Sequence, residues 1–270
     1  MPPKFSDKNQ PPSPFPPEWA CAWGQDQYGL WAAFEVSGVR QVMRWIRPGR
    51  FLMGSPKGEI GRDDDERQHE VVFTSGFWLA DTACTQELWR AVMGKNPSHF
   101  THEAELPVEK VSWEDCQKLL QRINGLYSRL ELQLPTEAQW EYACRAGTET
   151  PFSFGENITP DQVNYKGHSP YRDGKKGIYR KRTVPVKALP CNPWGLYQMH
   201  GNVWEWCADW YGEYPESVTT DPIGPDRGEN RVIRGGSWIF YAGDVRSAYR
   251  GRGGPDNRDD TVGFRFFRGH

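Results

Sequence analysis

Residues 192–211 read NPWGLYQMHGNVWEWCADWY, and they show most clearly what kind of fold this chain can have. Glycine, proline, asparagine and tryptophan recur here and throughout the half of the chain after Gly147, where only short strand-like runs remain. The whole chain contains 28 glycines, 22 prolines and 13 tryptophans, and its hydrophobic content is only 37%. A half this irregular must be stabilised by packed aromatic rings, backbone hydrogen bonds or metal, so the sequence predicts a loop-rich domain.

The first half of the chain has regular elements. TQELWRAVMG (85–94) begins with a capping threonine and ends at a glycine. SWED (112–115) and TEAQ (136–139) are capping pairs that open two more short helices. Alternating runs between residues 19 and 82 predict several short strands. Together these patterns indicate an α+β fold with a few short helices and small antiparallel sheets.

Composition excludes several classes of protein. The net charge of −2 does not point to nucleic acid or to anionic lipid. The six cysteines have no paired spacing, which is typical of a reducing compartment, and no stretch approaches the ~18 apolar residues of a membrane span. We therefore expect a cytoplasmic protein without membrane contact. Residues 1–18 are proline-rich and are predicted to be a disordered tail, followed by a single domain over 19–270.

Five segments resemble the formylglycine-generating-enzyme family of sulfatase modifiers, which has a C-type-lectin-like fold. They are FLMGSP (51–56), LPVEKVSWEDC (106–116), LPTEAQWEYACRAG (134–147), the opening stretch (192–211), and RVIRGGSW with VGFRF (231–266). The oxidising members of that family bind copper through two cysteines in the last of these regions. Between Arg234 and His270 this chain has no cysteine. Copper(I) selects thiolates, so we expect no copper here.

The region 234–268 is similar to the variable segment of proteins from diversity-generating retroelements, which use the same lectin-like fold. In those systems adenines of asparagine codons are randomised, while the residues between the randomised codons stay constant. The resemblance implies that residues 234–268 are a variable region on a constant frame. The variable, ligand-binding positions would be Ile239, Phe240, Tyr241, Gly243, Asp244, Gly251, Gly253, Gly254, Asp259, Asp260 and Thr261. The scaffold would be Trp238, Arg246, Arg250, Phe264 and Arg265.

The segment QMHGNVWEW (198–206) matches a calcium-binding element of the enzyme family. The resemblance implies a structural calcium ion held by the Gln198 side chain, the carbonyls of Gly201 and Val203, and the Glu205 carboxylate, which is oxygen chemistry suited to a hard cation. A hydrogen-bonded turn of the same shape is the alternative, because only one of these side chains is charged.

The run KGHSPYRDGKKGIYRKR (166–182) holds seven basic residues against one aspartate. It is interpreted as a solvated loop in preference to a nucleic-acid site, because aromatic side chains suited to stacking are few there.

Two functions stay open. One is a non-enzymatic protein whose diversified surface binds a protein or another macromolecule that the sequence does not name, in an undefined oligomeric state. The other is an oxidative modifying enzyme that works without the cysteine pair.

Overall fold

The computed structural model describes residues 11–103 and 105–270, and in this part of the chain three helices and three small sheets are joined by long loops. The helices are α1 (Gln86–Met93), α2 (Trp113–Leu126) and α3 (Glu137–Arg145). The first six strands are β1 (Ala22–Asp26), β2 (Gly29–Val36), β3 (Val39–Ile46), β4 (Gly49–Met53), β5 (His69–Phe73) and β6 (Phe77–Ala80). The others are β7 (Trp204–Trp210), β8 (Thr219–Thr220), β9 (Arg231–Arg234), β10 (Arg250–Gly253), β11 (Val262–Gly263) and β12 (Phe267–Gly269).

The sheets bring the end of the chain back to its beginning. The five-stranded sheet has the order β1-β2-β3-β6-β12, the four-stranded sheet β10-β9-β7-β11, and the three-stranded sheet β4-β5-β8. Most pairs are antiparallel as predicted, but β11 with β7 and β5 with β8 are parallel. The α+β, loop-rich architecture is confirmed, and it contains two short parallel pairs beside the predicted antiparallel ones.

The helices begin where their capping residues predict. The Thr85 side chain accepts a hydrogen bond from the backbone of Leu88, 3.2 Å away. Ser112 and Thr136 each open a reciprocal capping box. Helix α3 ends at Arg145, because the next residue, Ala146, adopts the left-handed conformation with φ of 48°.

Part of the predicted tail is ordered. Within residues 11–18, the Phe15 ring stacks on Trp78 with centroids 6.5 Å apart, and the Pro17 carbonyl accepts a hydrogen bond from Ala20. The Phe15 ring thus attaches this part of the tail to the core, and disorder of the tail as a whole stays a prediction. The remaining ten residues of that tail lie outside the described part.

Aromatic rings supply much of the interior. Trp78, Trp140 and Trp206 are among the largest fully buried side chains, and arginines are buried beside them. Large rings compensate for the low aliphatic content because each buries 150–250 Å². Among the described residues, every helix is too short or too polar to cross a bilayer.

Candidate functional site

The predicted variable region starts with a tight turn at the end of β9. Gly235 and Gly236 both have positive φ, 95° and 69°. A Cβ at Gly236 would lie 2.5 Å from a Val245 methyl carbon and 2.7 Å from the Asp244 carbonyl oxygen. Only glycine fits here, and the turn carries the following residues out of the sheet to the surface.

Trp204, the first residue of β7, brings three predicted variable segments together. Its ring meets Phe240 edge-on at 5.2 Å, and a Cβ at Gly251 would lie 3.1 Å from it. Its backbone N–H donates to the Thr261 carbonyl at 2.7 Å. Segments that are distant in sequence therefore surround one buried tryptophan, which we call the Trp204 surface: residues 239–241, 251–254 and 259–261 around Trp204.

Side chains on this surface differ in exposure. Tyr241 is 53% exposed and Ile239 is 41% exposed, while Phe240 is half-buried against Trp204. Asp259 is exposed, and Asp260 and Thr261 are half-buried. Tyr241, Ile239 and Asp259 thus present their side chains to solvent, whereas Phe240 packs against the core.

The predicted variable glycines fall into two groups. A Cβ at Gly243 would have no neighbour within 4 Å, and at Gly254 it would meet only side-chain atoms of Asp256 and Asn257, at 3.1 Å or more. At Gly251 the Cβ would lie 2.7 Å from Ile233, and at Gly253 it would lie 2.9 Å from Trp206. Gly251 and Gly253 therefore lack the space for a larger side chain that the sequence interpretation assumed, because their Cα–H bonds point at core residues.

Asp244 has a local structural contact. Its carboxylate accepts a hydrogen bond from the backbone N–H of Tyr241 at 3.1 Å and thereby caps the 3₁₀ turn Ala242–Val245. Burial raises the pKa of this carboxyl group. Replacing Asp244 would loosen the turn that presents Tyr241.

The predicted scaffold arginines hold the frame from below through buried ion pairs. Both donor arms of Arg246 reach the Glu66 carboxylate, at 2.7 and 2.9 Å. Burial by itself raises the pKa of Glu66, but the hydrogen bond and charge of Arg246 reverse this effect and leave the pKa lowered. Arg250 binds Glu137 in the same forked manner, at 2.7 and 2.9 Å. Forked pairing fixes the position of each guanidinium, so the intervening loops are held at defined points.

Arg234 is a fourth buried anchor that the list of scaffold residues missed. It pairs with Glu141 on α3 and donates to the carbonyls of Ser247, Ala248 and Tyr249. The signal was its place in the Arg-Gly-Gly-Ser-Trp block, beside the other frame residues.

The two predicted aromatic anchors behave differently. Phe264 is fully buried beside Phe266 at 5.2 Å. Trp238 lies nearer the surface, with its ring edge-on to Phe100 at 5.4 Å and its indole nitrogen 3.3 Å from the Asp260 carbonyl. Trp238 therefore links two of the predicted variable segments directly.

The basic run 166–182 borders the Trp204 surface, which its sequence did not indicate. Lys166 Nζ lies 4.5 Å from the centre of the Tyr241 ring. The backbone N–H of Lys166 donates a hydrogen bond to the Phe240 carbonyl at 2.8 Å. Tyr179 stacks on Trp238 with centroids 6.4 Å apart. The tyrosines of the basic run were the one feature of its sequence that could have indicated this contact. The exposed face thus has a basic, aromatic edge outside the predicted variable region.

The predicted calcium ligands make contacts that do not suit a dication. Both carboxylate oxygens of Glu205 accept from Arg265, at 2.6 and 2.7 Å, and one also accepts from Trp140 at 2.7 Å. Gln198 donates to the Pro185 carbonyl, and its oxygen accepts from Asn202. The one negative charge of the set is already neutralised by a guanidinium. Calcium at Gln198, Gly201, Val203 and Glu205 stays a prediction, and these contacts favour its alternative, the hydrogen-bonded turn.

Cys144 and His200 are adjacent, as in enzymes that use a cysteine nucleophile. The sulfur lies 3.6 Å from Nε2 of the ring. Burial raises the pKa of the Cys144 thiol to about 12 and lowers the pKa of His200 to about 4. The pair therefore consists of a neutral thiol and a neutral imidazole near pH 7, which is unsuited to nucleophilic attack. His200 instead donates to the Val245 carbonyl at 2.8 Å and stabilises the frame.

Comparison with known proteins shows two kinds of relative. The profile of the sulfatase-modifying factor enzyme 1-like domain matches residues 32–269. The formylglycine-generating enzyme of Mus musculus is 34% identical over 256 residues, covering 88% of this chain and 65% of that protein. The serine/threonine-protein kinase pkn1 of Chlamydia caviae is 32% identical over 257 residues, covering 84% of this chain and 38% of that protein. The chain thus spans 38–65% of the length of these curated relatives.

One solved structure is similar to this chain over most of its length. Treponema denticola variable protein 1 is 27% identical and superimposes with a TM-score of 0.74, over 89% of this chain and 99% of that one. Similarity therefore extends in two directions, to proteins named as enzymes and to a protein named as variable.

Proposed function

The chain belongs to the family of sulfatase-modifying factor enzyme 1-like domains, and we propose that it is a non-enzymatic, ligand-binding member whose C-terminal surface has been diversified by a retroelement. The observation that supports this is the convergence of residues 239–241, 251–254 and 259–261 around Trp204, with exposed side chains above and buried arginine pairs below. Such a division lets side chains change while the backbone stays in place, as in antibody loops on their scaffold.

The exposed side chains suit recognition of a macromolecule. Tyr241 and Ile239 provide apolar contact area, and aromatic residues are favoured anchors in protein interfaces. Asp259 gives the surface an acidic margin, while Lys166 gives the opposite charge beside Tyr241. A protein ligand with an apolar centre and a charged rim fits this arrangement better than a small metabolite does.

A genomic test is decisive for the diversification. We expect a near-copy of the DNA that encodes residues 234–268, differing only at adenines of the copy and lying beside a reverse-transcriptase gene. A second copy with differences at all four bases would contradict the proposal.

A binding test addresses the surface itself. A triple variant, Ile239→Asn, Tyr241→Asn and Asp259→Asn, restores the residue that an unaltered template would encode at three exposed positions. We expect proteins captured by the parent from a protein array to be lost with this variant. The matched control replaces Glu35, Arg40 and Tyr127, exposed residues outside the variable region, and should retain them. Equal capture by both variants would refute the assignment of the surface.

The alternative is an oxidative modifying enzyme, which the relatives named as formylglycine-generating enzymes favour. That chemistry needs a copper ligand set, yet residues 234–270 contain no cysteine and Cys144 is buried beside a neutral imidazole. Copper-dependent oxygen uptake with a cysteine-containing peptide would establish the enzyme and overturn the binding proposal. We expect uptake equal to that of buffer with copper alone.

A further inference from the structure

A cavity lies at the opposite end of β7 from the Trp204 surface. It encloses about 350 Å³, which falls within the usual range for small-molecule sites. Asp209 lines it, five residues after Trp204, so the two sites are roughly 16 Å apart along the strand. Trp210, Tyr214, Pro222 and Ile223 form apolar walls. The cavity shares only Arg250 with the predicted scaffold, so it does not depend on the proposed function.

Three acidic residues line this cavity: Glu213 is exposed, and the two buried ones, Glu137 and Asp209, differ in their partners. Glu137 is neutralised by Arg250, with contacts of 2.7 and 2.9 Å, and it also accepts a hydrogen bond from the Tyr214 hydroxyl at 2.9 Å. Asp209 accepts the backbone N–H of Glu137 at 2.7 Å through one oxygen. Its other oxygen has no side-chain donor among residues 11–103 and 105–270, where no ion pair involves Asp209. Of the two buried carboxylates in the described part of the chain that line the cavity, Asp209 therefore has no ion pair, whereas Glu137 does.

The absence of a cationic partner is costly for Asp209, because the side chain is buried. The side chain is 5% exposed, and burial, followed by the charge of Glu137, raises its pKa to about 7. A carboxylate in such a place is stabilised most by a cation that brings its own apolar surface. Ile223, which is 72% exposed at the rim, and the prolines around it offer that surface.

We propose that this cavity binds a small organic cation, a primary amine on an apolar or aromatic frame, with the ammonium group paired to Asp209 and the frame against Trp210, Tyr214 and Ile223. The ammonium supplies the cationic partner that Asp209 does not have among the described residues. Glu137 stays paired with Arg250 and forms the floor.

The experiment compares amines with neutral analogues of the same shape. Tryptamine, 2-phenylethylamine and 1-naphthylmethylamine are each titrated into the full chain by calorimetry, beside the alcohols in which a hydroxyl replaces the amino group. We expect at least one amine to bind at least tenfold more tightly than its alcohol. If no amine in the set is preferred over its alcohol, the proposal is wrong.

Variants test whether Asp209 causes the preference for the amine. Asp209→Asn keeps an oxygen that can accept from Glu137 but removes the charge, so the amine should lose at least tenfold in affinity while the alcohol changes little. Asp161→Asn, at an exposed aspartate outside both sites, should leave both affinities unchanged. An unfolding transition measured for Asp209→Asn verifies that the variant is folded. A second variant, Ile223→Lys, replaces the apolar rim by a positive charge and should also weaken binding of the amine. A preference for the amine that survives Asp209→Asn would place the cation elsewhere and end the proposal. Failure of the array capture at the Trp204 surface would leave this result intact, because the two measurements share no residue.

Discussion

Alanine at Gly251 should destabilise the protein, although the sequence interpretation places this residue among freely variable positions. The added Cβ would lie 2.7 Å from Ile233 Cγ1 and 3.1 Å from two ring carbons of Trp204. Carbon atoms pack comfortably at about 3.5–4.0 Å, so Ile233 would have to retreat by about 0.8 Å. Both neighbours are buried and have little room to move. Overpacking of this kind costs about 1–3 kcal/mol.

Gly243→Ala is the matched comparison within the same region. Its Cβ would meet nothing within 4 Å, and its φ lies outside the left-handed range. Alanine at a compatible glycine position stabilises by about 0.4–1 kcal/mol, because the unfolded chain loses conformational freedom. The two variants should therefore differ by about 1.4–4 kcal/mol in the free energy of unfolding.

Urea unfolding, followed by tryptophan fluorescence, measures this difference. We expect the midpoint to fall for Gly251→Ala and to stay level or rise for Gly243→Ala, with unchanged slopes that report the same surface exposed on unfolding. If both variants unfold at the same urea concentration, contact with the core does not limit variation at Gly251, and the division of the glycines into two groups is wrong.

Three further predictions concern the frame. Trp238→Ala should lower the free energy of unfolding, measured in urea, by about 3–5 kcal/mol, whereas Tyr241→Ala should change it by no more than about 1 kcal/mol. Equal losses would refute the distinction between scaffold and variable positions. Arg265→Met leaves Glu205 buried without its partner and should cost about 3–5 kcal/mol, while calcium or EDTA should leave the thermal midpoint of the parent unchanged; a rise with calcium would support the predicted metal site instead. His200 has a pKa lowered from 6.5 to about 4, so the unfolded chain binds the extra proton between these values and stability should fall by about 3 kcal/mol as the pH drops from 6.5 to 4; the loss in the parent minus that in His200→Gln isolates this group, and identical pH profiles would contradict it.

Buried arginine pairs explain how so irregular a half of the chain keeps one conformation. Arg234, Arg246, Arg250 and Arg265 each place a guanidinium where several loops meet, and each finds its carboxylate in another motif. Removing either partner leaves an unpaired buried charge, so these pairs restrict the backbone more than they add net stability.

Local signals in the sequence determined the helices and the family. Capping residues such as Ser112 with Asp115 act within four residues, so their effect is visible without coordinates. The alternation of constant and variable blocks in residues 234–268 likewise predicted a framed surface, because the residues of each block are adjacent in the chain.

Only the tertiary structure decided which of those positions have space and what holds the frame. Glu66 lies 180 residues before Arg246, and no local pattern pairs them. Gly243 and Gly251 look alike in sequence, yet one faces solvent and the other faces Ile233 and Trp204. Steric room and charge pairing are properties of neighbours in space, and folding brings these neighbours from distant parts of the chain.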